Sequence, residues 1–353
     1  MATVPHRPWE MLISVGDVGE FGLIARISAA LAEGFAGGPA GPAAPDGAGD
    51  RVIIGIGDDA AVLRAPDART VATMDLLVEG RHFRRDWSGP GDVGRKAAAQ
   101  NLADVAAMGA VPTALLVGFA APGSLELRWA EEFAAGLAAE AARAGAAAVG
   151  GDVSSADTIM IAVTALGDLE GRPPVTRAAA RPGDLVAVAG PLGRSAAGLA
   201  LLLAGPGRSA GAEPLVAAHR RPQPRYDAGP QAARLGATAM IDVSDGLVAD
   251  LGHIAAASGV TIAVRTAALE CGRDLRSAAD IIETAGAPRP DPLRWILTGG
   301  EDHALAATFP PGTPLPRRWA VIGDVAAGPG ASGGEVLVDG EPYARDGGWD
   351  HFR

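Results

Sequence analysis

RKAAAQNLADVAAMGAVPTALLVGFAAPGSLELRWAEEFAAGLAAEAARAGAAAVGGD, residues 95–152, is the stretch that sets the fold class. Apolar residues recur at helical spacing through its first part, which predicts a helix over Asp92–Met108. Pro112–Phe119 then reads as a buried strand, Ser124–Arg143 as a second helix, and Val149-Gly150-Gly151-Asp152 as a glycine turn. Working outward, the same alternation continues on both sides. Upstream lie a helix at Gly19–Glu33, a flexible Gly/Pro/Ala loop over Gly34–Asp50, and short strands RVIIGI and AAVLRA flanking Gly57-Asp58-Asp59. A further strand, TVATMD, ends in Asp75. Downstream, Thr158–Leu166 is a β-branched strand and Gly171–Asp184 reads as a linker. The pattern restarts with strand Leu185–Ala189, helix Ser195–Leu203, a second loose Gly/Ala/Pro stretch, helix Arg225–Leu235 and strand Thr238–Ile241. That strand runs into Asp242-Val243-Ser244-Asp245-Gly246, and a helix follows at Leu247–Ala257. The reading is an α/β or mixed α+β chain in two domains: 1–170, a linker at 171–184, and 185–353.

Composition removes several classes of function. The 353 residues carry a net charge of −11, and no Lys/Arg run could supply the basic stripe that a nucleic-acid groove needs. A single cysteine, Cys271, excludes an internal disulfide framework and a Cys-based zinc site, and makes a reducing, cytoplasmic compartment the default. The N-terminus has no apolar signal region. Val105–Leu125 runs 21 residues without a charge, but Gly109, Pro112, Gly118 and Pro122 interrupt it, so a helix end, a loop and a core strand is the expectation rather than a membrane span. No short-period repeat is present, which excludes solenoids and propellers.

Acidic residues at strand ends carry the chemistry. Asp58/Asp59, Asp75, Asp152, Asp242/Asp245 and Glu301/Asp302 each follow a β-like run beside glycine or another acid, and Asp104 joins them from the first helix. Strand ends converge on one edge of a sheet, where ligand sites of α/β folds lie. Carboxylates gathered there repel one another unless a cation sits among them, and Mg²⁺ suits an all-oxygen donor set. Any single Asp–Gly pair is also explained as a turn or a helix cap. There is no P-loop motif and no GxGxxG after a strand. Gly190–Ser195 could be a phosphate turn or a plain tight turn, and His82 in EGRHF an anion contact or a capped loop histidine. Of the 30 basic residues only Lys96 is lysine, which reads either as a compact charge near phosphates or as chance.

In order, the motifs are GEFGLIARI (19–27), GIGDDAAVL (55–63), TMDLLVEGRHF (73–83), RKAAAQNLADVAAMGAVP (95–112) and VGGD (149–152). They continue as TALGDLEGRPPVTRAAARPGD (164–184), GRSAAGLALL (193–202), RPQPR (221–225), IDVSDGLVADLGHIAAASG (241–259), GGEDHAL (299–305) and WDHF (349–352). From Gly19 to Phe352 this string closely resembles the thiamine-monophosphate kinases, within the aminoimidazole ribonucleotide synthetase-like superfamily. The resemblance implies ATP-dependent phosphorylation of thiamine monophosphate to thiamine diphosphate. It also implies a two-domain α/β fold, with the N-terminal domains of two chains joined in a homodimer and ATP between domains. Carried over by resemblance, Asp59, Asp75, Asp104, Asp152, Asp242 and Asp245 are Mg²⁺ ligands, with Thr73 and Met74 contributing oxygens. Asp75, Asp104, Asp242 and Asp245 form the catalytic set; Gly151, Asp152, Arg177 and Ser244 contact ATP; His82, Glu301 and Trp349 contact thiamine monophosphate. Trp349 would offer the cationic thiazolium a stacking and cation–π surface.

Three features depart from the family pattern. Met74 stands where a threonine is common, leaving only a backbone carbonyl as ligand; His303 and Ala304 replace the Tyr-Glu of GEDYEL; and the loop before Arg51 is longer. Two alternatives stay open on the sequence. One is another enzyme of the superfamily with a different acceptor, although Cys271 lies far from the early cysteine of the selenophosphate type and no cysteine tail of the hydrogenase-maturation type is present. The other is a non-catalytic nucleotide- or metal-binding relative.

Overall fold

The computed structural model describes residues 13–36, 52–54, 60–205, 207, 211–328 and 334–343. The chain opens with helix α1 (Val15–Ala36), kinked at Gly19, and a small antiparallel pair, β1 (Val52–Ile54) and β2 (Val62–Leu63). Four strands, β3 (Val71–Val78), β4 (Val111–Ala121), β5 (Ala147–Ser155) and β6 (Met160–Asp168), form a mixed sheet in the order β3-β6-β4-β5. One face of that sheet is covered by α2 (Pro90–Ala107) and α3 (Leu127–Arg143).

Local chemistry explains α2. Pro90 stands in the first turn, where its missing N–H is not needed, and Asp92 accepts a hydrogen bond from the Gly89 N–H at 3.3 Å. Ala-rich turns let the helix pack closely on both sides, and Gly109 at φ 76 ends it in the left-handed conformation. Being buried nearly all round, α2 also carries Lys96 and Asn101 into the interior.

The second sheet has seven strands. β7 (Leu185–Ala189), β8 (Ala239–Val243), β9 (Val260–Val264), β10 (Ala304–Phe309), β11 (Trp319–Ala327), β12 (Glu335–Val338) and β13 (Glu341–Pro342) pair in the order β13-β12-β9-β11-β7-β10-β8. Among the described strands of this sheet, only β12 and β9 pair in parallel. Residues 169–184, between the two sheets, contain no helix or strand.

Period-two alternation then divides the core. Val186, Val188, Ile241, Val243, Ala304 and Ala306 face α4 (Arg194–Leu203), α7 (Leu247–Ser258), α8 (Arg273–Thr284) and α9 (Pro292–Thr298). Ala187, Ala189, Met240, Leu305, Ala307 and Phe309 face the other way, into the core that contains α2, α3 and α6 (Ala228–Arg234). Asp242 lies on a strand between buried neighbours of both kinds, on the same face as Met240 and so turned toward α2.

Three readings are corrected: β3 does not end in Asp75 but continues to Val78, so Asp75 lies inside a strand rather than at its end. Val149–Asp152 is not a turn but the middle of β5: the double glycine is there because β4 passes so close that a Cβ on Gly151 would lie 2.0 Å from the Val117 carbonyl oxygen. Within the loose stretch after Leu203, residues Glu213–Arg220 form a further helix, α5. The loop at 37–50, Asp58, Asp59 and Trp349 lie outside the described residues. No described helix is long and apolar enough to cross a membrane.

Candidate active site

The site lies where the end of β8 meets the start of β10, against α2. Leu305 pairs with Asp242 and Ala304 with Val243, so Asp242–Gly246 and Thr298–His303 are facing loops at one sheet edge. They are stitched together by backbone bonds: the Glu301 N–H donates to the Ser244 carbonyl at 2.8 Å, and the His303 N–H to Val243 at 3.1 Å. Glu301 and His303 both hold positive φ, 63° and 51°, a strained choice for residues with a Cβ.

Carboxylates from the two sheets face one another here. On β3, Thr73 and Asp75 point toward α2: the Thr73 hydroxyl donates to Asp104 at 2.9 Å, and the Asp75 N–H to the Asn101 side-chain oxygen at 2.8 Å. Burial, then the charges of Asp242 and Asp75, push the Asp104 carboxyl up to about 7. His303, buried, places ring Nδ1 3.2 Å from Asp242. Burial opposes its charge, but the bond to Asp242 and the fields of Asp242, Asp104 and Glu301 raise its pKa overall. The N–H groups of Asp245 and Gly246 donate to Asp250, which burial and then Asp242 push up to about 7.

Beside this cluster stands a second polar group. Glu301 pairs with Lys96 at 2.9 Å and lies 3.4 Å from His219 Nδ1. Burial raises the Glu301 pKa, but Lys96 and His219 hold it below the usual carboxylate range. His219 is pushed down to about 4 by burial and by Lys96, so its ring is neutral at pH 7. His82 accepts from the Val78 N–H at its Nδ1, and its carbonyl takes the Lys96 ammonium at 3.2 Å. Asp302 turns away from all of this: it accepts from the Arg194 and Ser195 N–H groups at the start of α4, as a helix cap.

Asp75, Asp104, Asp242, Asp245, Ser244, His82 and Glu301 are therefore brought together around α2 and the two loops. Arg177 is exposed, and its carbonyl accepts from the Ser258 hydroxyl at 2.8 Å. Asp152 is not brought together with the cluster in one chain. It pairs in register with Gly118, which pairs with Ala162 and through it with Leu76, so it stands on the opposite face of the sheet from Asp75. Asn101, Asp250 and His219 were missed; each is a buried, isolated polar residue on a helix, Asn101 inside α2, Asp250 in the first turn of α7 and His219 in the last turn of α5, and none leaves a spacing signal.

Among the described residues no group of three or more His, Cys, Asp or Glu side chains is gathered closely enough to cage a metal ion. The donors nonetheless fit Mg²⁺. They are hard oxygens, and the mutual repulsion that raises Asp104 is what a divalent cation between Asp75, Asp104 and Asp242 would relieve.

The family models for AIR synthase related protein match at residues 57–169 for the N-terminal domain and 181–289 for the C-terminal domain. Thiamine-monophosphate kinase of Mycobacterium tuberculosis is 50% identical over 304 residues, which cover 85% of this chain and 86% of the relative. The chain belongs to the thiamine-monophosphate kinase family. The kinase of Corynebacterium glutamicum is 45% identical over 71% of this chain and 76% of its own. A solved structure, AaThiL complexed with AMPPCP and TMP, superposes with a TM-score of 0.73 at 34% identity, covering 95% of this chain and 98% of that one. In the kinase family frame, the two facing loops are the DVSDG and GGED motifs, and α2 is the helix that supplies Asp104. At the position where the sequence departs from the family pattern, His303 puts a ring nitrogen on Asp242.

Proposed function

We propose that this chain transfers the γ-phosphoryl group of ATP to thiamine monophosphate, giving thiamine diphosphate and ADP. The observation that carries the reading is the convergence of Asp75 from β3 and Asp104 from α2 with Asp242 and Asp245 from the end of β8, beside Glu301 and His82. That arrangement suits a reaction whose difficulty is charge. The acceptor is a phosphate monoester, already ionised at neutral pH, so no general base is required. One of its oxygens attacks the γ-phosphorus, the bond from that phosphorus to the β,γ-bridging oxygen breaks, and ADP departs with the electron pair.

Bringing two polyanions together is the work of positioning and neutralisation. Asp75, Asp104, Asp242 and Asp245, with the Thr73 hydroxyl, the Met74 carbonyl and Asp59, would hold Mg²⁺, while Asp152, on the opposite face of the sheet, would hold a metal apart from that inner cluster. When bound, Mg²⁺ supplies the positive charge that lets the phosphates approach. Gly151, Asp152, Arg177 and Ser244 are assigned to ATP. His82, Glu301 and Trp349 are assigned to thiamine monophosphate, with the ionised Glu301 complementing a cationic acceptor. The reading keeps the division into 1–170, a linker at 171–184 and 185–353, with the nucleotide assigned between the domains as the family resemblance implies, and ATP and the lone Cys271 suit the cytoplasm.

The test is turnover: purified protein, ATP, Mg²⁺ and thiamine monophosphate, with thiamine diphosphate quantified as its oxidised fluorescent product. Thiamine diphosphate formed one-for-one with ADP, and none in EDTA, is the expected result. ADP released without thiamine diphosphate would assign a different acceptor.

A homodimer belongs to the same reading. The face of the four-stranded sheet away from α2 and α3 leaves Met74 62%, Leu76 42%, Leu116 37% and Met160 37% exposed, and Asp152 stands on that face. An apolar sheet face of this kind is an interface, and a second copy would cover it. Leu76→Arg combined with Met160→Arg is expected to convert a dimer into a folded monomer, read by light scattering after size exclusion. An unchanged mass would remove this face from the interface.

A further inference from the structure

Lys96 is the one lysine of the chain, and only 3% of its side chain is exposed. An ammonium stripped of water needs fixed acceptors. Lys96 has two, from different parts of the substrate-side group: Glu301 Oε1 at 2.9 Å and the His82 carbonyl at 3.2 Å. The other Glu301 oxygen lies 3.4 Å from His219 Nδ1, and that nitrogen lies 3.1 Å from the Ser195 hydroxyl. Glu301 is thus paired through one carboxylate oxygen with Lys96 on α2, has its other oxygen beside His219 on α5, and has its N–H fixed by Ser244. Its own backbone sits at a φ of 63°, which the surroundings must enforce.

We propose that Lys96 is a positioning residue for the acceptor: one buried ammonium sets the His82 segment and the Glu301 carboxylate relative to each other, and so sets the fit of thiamine monophosphate but not of ATP. The proposal rests on the assignment of His82 and Glu301 to that substrate. It explains why a chain that otherwise uses arginine keeps a lysine here. A guanidinium is larger and planar, with five donors to satisfy, and the enclosed site offers a compact charge two acceptors on the far side of a helix packed on both faces. An ion pair that merely welded the two halves of the molecule would lower stability and disturb both substrates alike.

The experiment compares Lys96→Met, Lys96→Arg, Glu301→Gln and the double variant Lys96→Met/Glu301→Gln, with KM measured separately for thiamine monophosphate and ATP and the fold checked by near-UV circular dichroism. Lys96→Met is expected to raise the KM for thiamine monophosphate about tenfold and to leave that for ATP within twofold, and Lys96→Arg is expected not to restore it. The double variant removes both charges together, so it keeps the test available if the single methionine variant does not fold. Its KM for thiamine monophosphate is expected to rise by less than the product of the two single effects, since part of the ammonium's action runs through that carboxylate. Equal rises for both substrates, or multiplied effects in the double variant, would overturn the proposal. A raised KM in Glu301→Gln with an unchanged one in Lys96→Met overturns it alone. An unchanged KM in Glu301→Gln overturns the acceptor assignment and the proposal with it.

Discussion

Asp104→Asn is expected to lower kcat about a thousandfold while leaving the protein at least as stable as before. The two halves of that result have one cause. Asp104 is buried with Asp242 and Asp75 close by, and it is pushed up to about 7 from an ordinary value of 3.8. Its charged form is therefore disfavoured in the folded chain, and the sign of the linkage follows. The stability it contributes is fully present below about pH 4 and is lost as the pH rises toward 7. The amide has no charge to lose. It keeps an oxygen able to accept the Thr73 hydroxyl, so the local geometry survives. In EDTA at pH 8 the asparagine variant should be more stable than the parent by roughly 2–4 kcal/mol, an advantage that shrinks as the pH is lowered toward 4. Mg²⁺ should raise the melting temperature of the parent more than that of the variant. The loss of rate is the other side: an amide cannot replace a carboxylate in a site whose work is neutralising phosphates, where single electrostatic contacts are worth on the order of 10²–10³ in kcat. Thermal melts in EDTA against pH, with and without added Mg²⁺, check the first half, and turnover checks the second. A variant that melts earlier at pH 8 would mean that the carboxylates do not strain the fold.

Much of this site was legible in the chain, and the limits have physical reasons. Asp242 and Asp245 stand out because a strand of β-branched and apolar residues ends abruptly in acids and glycine, and they occupy that strand end in the fold. Asp104 was visible as a charge inside an Ala-rich helix. Val149–Asp152 misled because glycine pairs favour turns in isolation, whereas here tertiary packing needs the missing side chain. The face on which Asp152 stands could not be read either, since it depends on a register shift between β4 and β5 at Leu115/Leu116. Lys96 was conspicuous by composition, but its partners come from residues 82 and 301, and no local pattern connects them. Asp250 carries no signal in the sequence, and its place at the site depends on the N–H groups of Asp245 and Gly246, which close on it only in the fold.

Asp152 and Asp75 stand on opposite faces of a single sheet, which bears on how the site is completed. One chain holds Asp75, Asp104 and Asp242 together on the inner face. The outer face carries Asp152 amid uncovered apolar residues. If Asp152 meets nucleotide and a second copy covers this face as proposed, the copy and the ligand must share it, so the Leu76→Arg/Met160→Arg variant should lose activity as well as mass.

Gly300→Ala is expected to cut kcat/KM at least about a hundredfold in a protein that still folds. A Cβ at this position would lie 2.1 Å from the Ser244 carbonyl oxygen and 3.2 Å from the Asp245 Cα. Both are backbone, so no side chain can swing aside; the two loops must part by about an ångström to reach ordinary contact. That separation breaks the bond from the Glu301 N–H to Ser244 and shifts Asp245 relative to Glu301. Displacements of about 1 Å at a reacting centre cost on the order of 10² in rate, and overpacking a close contact costs about 1–3 kcal/mol. Gly252, on α7 close to the same loops, is the control: a Cβ there meets nothing within 4 Å, and the residue is helical. Gly252→Ala should keep full activity and gain roughly 0.5–1 kcal/mol in stability from helix propensity. Steady-state kinetics and thermal melts on the two alanine variants separate the cost of spreading the facing loops from that of adding a methyl group nearby. Normal turnover in Gly300→Ala would mean that the loops can part without disturbing the carboxylates they carry.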